Sequence, residues 1–273
     1  MSSSNPVSCL DRELINLSVV FIIPALLALI HFTIPASLQQ QLVFDHADIS
    51  PITFLTASYL HASNAHLYGN IVGYLLGALY AFALALFVSR LDWFRRAFAA
   101  NLLLVPIFVH ATDYVIWSTQ YPEAEIVSRG FSGVAAAFTG TLLVALYVYV
   151  DERHGSSAAY AVALSLFLLL MQLIDVRYAG GFRLEVAGLV VAGIALVGGS
   201  VVWERRGDLE VGRDVVVSGG LVVLVAAVLG YTVFMLFPAP ADIVNGGGVT
   251  NVYAHAAGLL FGLMVSFASL RAH

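Results

Sequence analysis

The chain has 273 residues, of which 60% are hydrophobic and only 11% charged, and its formal net charge is −5. Soluble domains carry about 25% charged residues, so a mean hydropathy of +0.90 excludes a water-soluble globular domain, which would have too little polar surface to cover itself. The 12 basic residues are all arginine and form no basic patch, which argues against nucleic acid as a partner, and the single cysteine, Cys9, excludes an internal disulfide framework and a cysteine-based zinc site.

The chain opens on a polar stretch, residues 1–13, expected to be a short tail. A helix needs about 20 apolar residues to cross a bilayer. Eight segments approach that length: Leu14–Ile34, His66–Val88, Ala97–Trp117, Ser132–Val150, Ser157–Ile174, Val186–Trp203, Val215–Phe237 and Val252–Leu270. Seven of them contain no Asp, Glu, Lys or Arg, and the third contains Asp113. The expected fold is therefore all-α: a polytopic membrane protein, one integral membrane domain over residues 1–273, surrounded by the lipid bilayer. Nothing in the sequence specifies an oligomeric state.

Arginine placement orients the bundle, because cytoplasmic loops collect Lys and Arg. With a cytoplasmic N-terminus, Arg12, Arg90, Arg95, Arg96, Arg153, Arg205, Arg206, Arg213 and Arg271 lie inside, against Arg129, Arg177 and Arg183 outside. A multi-pass protein of the cell membrane is the expectation. The outer side then receives the Ser37–Ala65 connection, which has no Lys or Arg. It also receives Pro238–Asn251, whose Gly246–Gly248 run and two prolines read as a mobile loop.

Polar side chains inside spans are costly, and four stand out: His66 and Asn70 in the second span, Ser132 opening the fourth and His255 near the start of the eighth. All lie in even-numbered spans, which start on one side of the membrane, and each lies within about a turn or so of its N-terminal end at 1.5 Å rise per residue. They therefore share one depth, whatever the orientation.

Ser132 stands in Gly130-Phe131-Ser132-Gly133. The flanking glycines permit a tight start to the helix, and N–H groups at a helix start are free to donate to an anion. That suits a nucleophile with a built-in oxyanion site, although a serine N-cap ahead of a small-residue packing motif reads the same way. His255 stands in Ala254-His255-Ala256-Ala257-Gly258. Ala254, Gly258 and Gly262 form a small-xxx-small stripe, and Ala136 and Gly140 offer a similar one on the fourth span. If the stripes meet, His255 can serve Ser132 as general base; otherwise it is a histidine bonded between helices. His66 and Asn70, four apart on one helix face, can both donate hydrogen bonds, as oxyanion stabilisers or as interhelical polar contacts. Gly69, Gly73 and Gly77 run beside them and would let the second span pack closely.

Taken together, His61-Ala-Ser-Asn-Ala-His66-Leu-Tyr-Gly-Asn70, Gly130-Phe131-Ser132-Gly133 and Ala254-His255-Ala-Ala-Gly258 resemble the rhomboid family of intramembrane serine proteases. The motifs cover about a tenth of the chain, and their order and common depth make the match specific. The resemblance implies Ser132 as nucleophile and His255 as its base, with no third acidic member. It implies His66 and Asn70 in the oxyanion hole beside the Ser132 N–H, and a mainly structural His61. It further implies transmembrane protein substrates, cut near the outer bilayer face, and no cofactor or metal. Two departures stand out. The family core has one helix between the serine and histidine helices, where this chain has three, so a six-helix core would carry two extra spans. Many members also have an aromatic residue four after the serine, stacked on the histidine; here that position is Ala136, with Tyr253 or Phe131 as substitutes.

His110 and Asp113, three apart in the third span, read either as a pair, with Asp113 serving His110 or orienting the dyad, or as a polar patch reaching interfacial water. Three rival functions fit parts of the pattern. A catalytically inactive rhomboid-like binder or chaperone of membrane helices would ordinarily lack the serine or the histidine. A zinc hydrolase built on His61, His66, His110 and His255 lacks His-Glu-x-x-His and a carboxylate ligand cluster. A transporter would carry central charges or broken helices.

Overall fold

The computed structural model describes residues 6–120, 127–204, 212–240, 244–245 and 248–271. The architecture is all-α. Helix α1 (Pro6–Thr33) leads into a structured connection made of α2 (Ala36–Leu42), β1 (Phe44–Asp45), α3 (Thr53–Thr56) and a 3₁₀ turn, Ala57–Tyr59. The bundle continues with α4 (Asn64–Phe87), α5 (Leu91–Leu103), α6 (Val105–Gln120), α7 (Ser132–His154), α8 (Ser156–Ala179), α9 (Leu184–Glu204), α10 (Arg213–Leu236) and α11 (Val252–Arg271). Strand β2 (Val127–Ser128) precedes α7 and pairs antiparallel with β1, while β3 (Val244–Asn245) and β4 (Gly248–Val249) form a hairpin before α11. Among the described residues, seven helices are long and apolar enough to cross a bilayer, with α5 and α6 together making one of them. The chain is thus a multi-pass helical bundle.

The expected spans differ from the observed helices at two places. Helix α1 starts at Pro6, inside the stretch expected to be a tail, and its described apolar part, Leu17–Thr33, is shorter than the other spans. The third span is broken at Leu104, where α5 ends and α6 begins. Pro106 accounts for the break: it has no N–H to give to the carbonyl four residues back, that of Leu102. The Tyr59 hydroxyl donates to Leu102 O instead, at 2.6 Å. The same device recurs at Pro24 in α1, whose orphaned acceptor, Val20 O, receives the hydroxyl of the fully buried Tyr74 at 2.9 Å.

Helix α7 is the centre of the bundle, buried along nearly its whole length and packed between α4 and α11. Small residues make this possible. Gly258 of α11 lies directly on the backbone of Gly133, and Gly262 on that of Ala137. A Cβ on Gly140 would stand 2.6 Å from Leu259 O. The α7 face is therefore Gly133, Ala137 and Gly140, with Ala137 in place of the expected Ala136. The contacts advance in the same sense along both chains, so α7 and α11 run parallel. On α4 only Gly77 is in close contact, 2.8 Å from a Phe138 backbone atom for a Cβ built on it, while Gly69 has nothing within 4 Å. Helix α10 packs on α7, α4 and α8; α9 packs on α8 and is otherwise exposed to the surroundings of the bundle.

Candidate active site

Ser132 is the first residue of α7 and keeps part of its surface exposed, between buried Phe131 and Gly133. The segment leading to it is held by backbone bonding: β2 pairs with β1, and Gly130 N donates to Ala57 O at 3.0 Å. Gly130 takes φ +128, a region open to glycine and costly for other residues. Its missing side chain leaves room for the His66 ring, and Asn70 Nδ2 lies 3.6 Å from where a Cβ would be. His66 and Asn70 are therefore brought beside Gly130, two residues before Ser132.

The N-terminal turn of α4 is fixed by Ser63, whose hydroxyl accepts from His66 N at 3.2 Å. Asn70 is only 7% exposed, and its Nδ2 has no acceptor among the described residues. A buried amide donor left unpaired in an apolar bundle is costly. One aimed at the approach to a serine is a ready donor for a negatively charged oxygen.

His255 is buried on the first turn of α11. Gly133, next to Ser132, and Ala254, next to His255, are in contact: a Cβ on Gly133 would lie 3.4 Å from Ala254 O. The Nδ1 of His255 bonds the carbonyl of Leu236, at the end of α10. A carbonyl only accepts, so Nδ1 carries the proton and Nε2 of the neutral ring keeps its lone pair. The ring edge-on to His255 is Phe237, with centroids 6.2 Å apart. Neither expected substitute takes that place: Phe131 packs on Tyr59 and Tyr74, and Tyr253 on Trp117.

His61 is buried, with both ring nitrogens unpartnered among the described residues and its ring 5.3 Å from that of His66. Burial, reinforced by His66 and His31, pushes its pKa down to about 3. Among the described residues, no group of three or more His, Cys, Asp or Glu is arranged to hold a metal ion.

Asp113 does not form a patch facing water: it is 1% exposed. Nor does it hydrogen-bond His110, whose Nδ1 donates to Pro106 O at 2.9 Å and whose ring lies edge-on to Phe44. Its carboxylate instead accepts from Trp117 Nε1 at 3.1 Å, from Ser128 Oγ at 2.7 Å and from Asn251 Nδ2. His46 Nε2 stands 3.8 Å away and 3.1 Å from Ser128 Oγ. Burial lowers the pKa of His46, against the opposing pull of Asp113 and Asp45. Sequence reasoning missed His46, Ser128, Asn251, Leu236 and Phe237. Of the Pro238–Asn251 loop, the hairpin strands are observed, while residues 246–247, which include two of the three consecutive glycines, lie outside the described residues.

No family model matches this chain, and neither does any curated protein or solved structure.

Proposed function

We propose that the protein is an intramembrane serine endopeptidase of rhomboid type, with Ser132 and His255 as a catalytic dyad and His66 and Asn70 in the oxyanion hole. The observation that carries this reading is the double backbone approach on either side of Ser132. Gly133 meets Ala254 and Gly258 of the histidine helix, and Gly130 meets His66 and Asn70. The backbone next to Ser132 thus lies against the backbone next to His255, and the backbone two residues before it lies against the His66 and Asn70 side chains, which supports placing the serine, the histidine and the unpaired amide in one site.

In this mechanism Nε2 of His255 takes the Ser132 hydroxyl proton as Oγ attacks the scissile carbonyl carbon. The negative charge passes to the carbonyl oxygen, which accepts from Asn70 Nδ2, from His66 and from the first N–H groups of α7. His255 then protonates the leaving amine as the C–N bond breaks. Water, deprotonated by the same Nε2, hydrolyses the acyl ester and frees Ser132. The substrates proposed are single-span membrane proteins, cut near the outer face of the cell membrane, with the N-terminus of the enzyme in the cytoplasm. Substrate access is assigned to α10, which packs on both α4 and α7 and ends at the carbonyl that holds His255.

The test is labelling with a serine-directed fluorophosphonate in detergent, beside cleavage of a model single-span substrate. The wild type should label and cleave, and Ser132→Ala and His255→Ala should do neither while remaining folded. Full cleavage by either variant would rule out the dyad. Chelators should leave the rate unchanged; loss with EDTA and recovery with zinc would favour a metal hydrolase.

A further inference from the structure

Asp113 takes no part in the chemistry above, yet it is the most heavily bonded buried acid in this region. Its partners come from four places in the fold. Trp117 is one turn along α6. His46 follows β1, Ser128 is the second residue of β2, and Asn251 immediately precedes α11. Two of these lead straight to the dyad. Ser128 is four residues before Ser132 and enters α7 through the constrained Gly130. Asn251 caps α11: its Oδ1 accepts from Ala254 N at 3.0 Å, and its backbone carbonyl accepts from His255 N at 3.3 Å.

We infer that Asp113 is a positioning residue whose carboxylate, acting through Ser128 and Asn251, fixes the segment that carries Ser132 against the turn that carries His255. Every partner presents a donor: an indole N–H, a hydroxyl, an amide N–H and an imidazole nitrogen. A carboxylate offers two acceptor oxygens, one to Trp117 and Asn251 and the other to Ser128, with His46 beside it. An asparagine offers one. Turned one way, its NH₂ confronts Trp117 and Asn251 with another donor; turned the other way, it meets the Ser128 hydroxyl, which then accepts and must give its own proton to His46 Nε2, so either way one tether loses its acceptor on residue 113. Because the carboxylate is buried, water does not replace the lost acceptor, and one segment is freed relative to the other.

The inference rests on the protease reading for its kinetic arm only. In that arm, folded enzyme is counted by fluorophosphonate titration, and kcat per titrated site and KM are measured for a single-span substrate. Asp113→Asn should lower kcat per site by about 10- to 100-fold, as small misplacements of reacting groups do, with KM unchanged. A purely structural role would lower the number of titratable sites and leave kcat per site intact. The second arm needs no activity: amide hydrogen exchange of the full-length protein in detergent. Asp113→Asn should speed exchange in peptides covering 127–134 and 252–258 and leave α4 as in the wild type. Ser128→Ala should loosen the first peptide only and Asn251→Ala the second only, and these two variants carry the test if Asp113→Asn does not fold. A wild-type kcat per titrated site, or wild-type exchange in both peptides, overturns the inference. A wild-type protein that neither labels nor cleaves would remove the protease reading alone, and the exchange arm would still decide the role of Asp113.

Discussion

Gly130 lies against the imidazole of His66, so closely that a Cβ on Gly130 would stand 2.5 Å from Cε1 and 2.7 Å from Nε2. The contact joins the segment before the serine to the helix that carries the proposed oxyanion donors. Gly130→Ala should therefore lose activity twice over. The left-handed backbone costs about 1–2 kcal/mol for a residue with a Cβ, and the added methyl displaces His66. Gly69→Ala, with nothing within 4 Å of the new methyl, should keep activity and gain up to about 1 kcal/mol from helix propensity. Thermal melts and substrate cleavage of the two variants decide it. Equal behaviour would mean that the Gly130–His66 contact has no part in catalysis.

Asn70 brings a different expectation, because its Nδ2 has no acceptor in the resting protein. Removing an unpaired buried donor relieves a cost in the ground state, so Asn70→Ala should melt no lower than a typical cavity variant. It should lose about 10²–10³ in rate, the usual effect of deleting one oxyanion donor. Backbone N–H groups at the start of α7 remain, so the residual rate should exceed that of Ser132→Ala. A folded Asn70→Ala as inactive as Ser132→Ala would assign Asn70 another essential task.

Much of this arrangement was legible in the sequence. The small-residue stripe of α11 indicates where a backbone can approach, and Gly258 and Gly262 do lie on the α7 backbone; the parity of the spans is the ground for expecting His66, Asn70, Ser132 and His255 at one depth. The face of α7 was misplaced by one residue, Ala137 for Ala136, because on a helix rich in alanine and glycine neighbouring stripes look alike. What would orient the proposed dyad was not legible. Leu236 acts through a backbone carbonyl, which every residue has. Ser128 lies in a two-residue strand and Asn251 and His46 in irregular segments, none with a periodicity to mark it, and they meet at Asp113 only because the fold brings four separated segments together. The break at Leu104 was signalled by Pro106; hydropathy alone, which joins α5 and α6 into one span, hides it.

Acid should destabilise the protein through His61. Its pKa, about 3 in the fold against an ordinary 6.5, means that the folded state favours the neutral ring. The unfolded chain then binds the extra proton first, so stability is full above about pH 6.5 and falls as the pH drops towards 3. The slope for one such group is about 1.4 kcal/mol per pH unit. His61→Gln, which cannot charge, should melt near the wild type at pH 7 and lose less stability between pH 6.5 and 4. His46, whose pKa burial also lowers, should leave some slope behind. Identical pH dependence in the variant and the wild type would show that His61 does not titrate in this way.

The pairing of Tyr59 with Pro106 can be tested as a unit. Pro106 removes the N–H that would satisfy Leu102 O within the helix, and the Tyr59 hydroxyl supplies a donor in its place. In an apolar bundle an unsatisfied carbonyl costs about 1–3 kcal/mol, so Tyr59→Phe in the wild-type background should destabilise by roughly that amount. Pro106→Ala restores an amide N–H at position 106, and with it the bond to Leu102 O. In that background Tyr59→Phe should be close to neutral. The prediction is thus a coupling energy: the double variant should be more stable than the sum of the two single changes implies. Additive effects in the melting of the four proteins would mean that the Leu102 carbonyl does not depend on Tyr59, and that the hydroxyl serves only to tie the 3₁₀ turn, from which Ala57 O holds Gly130, to the helix break.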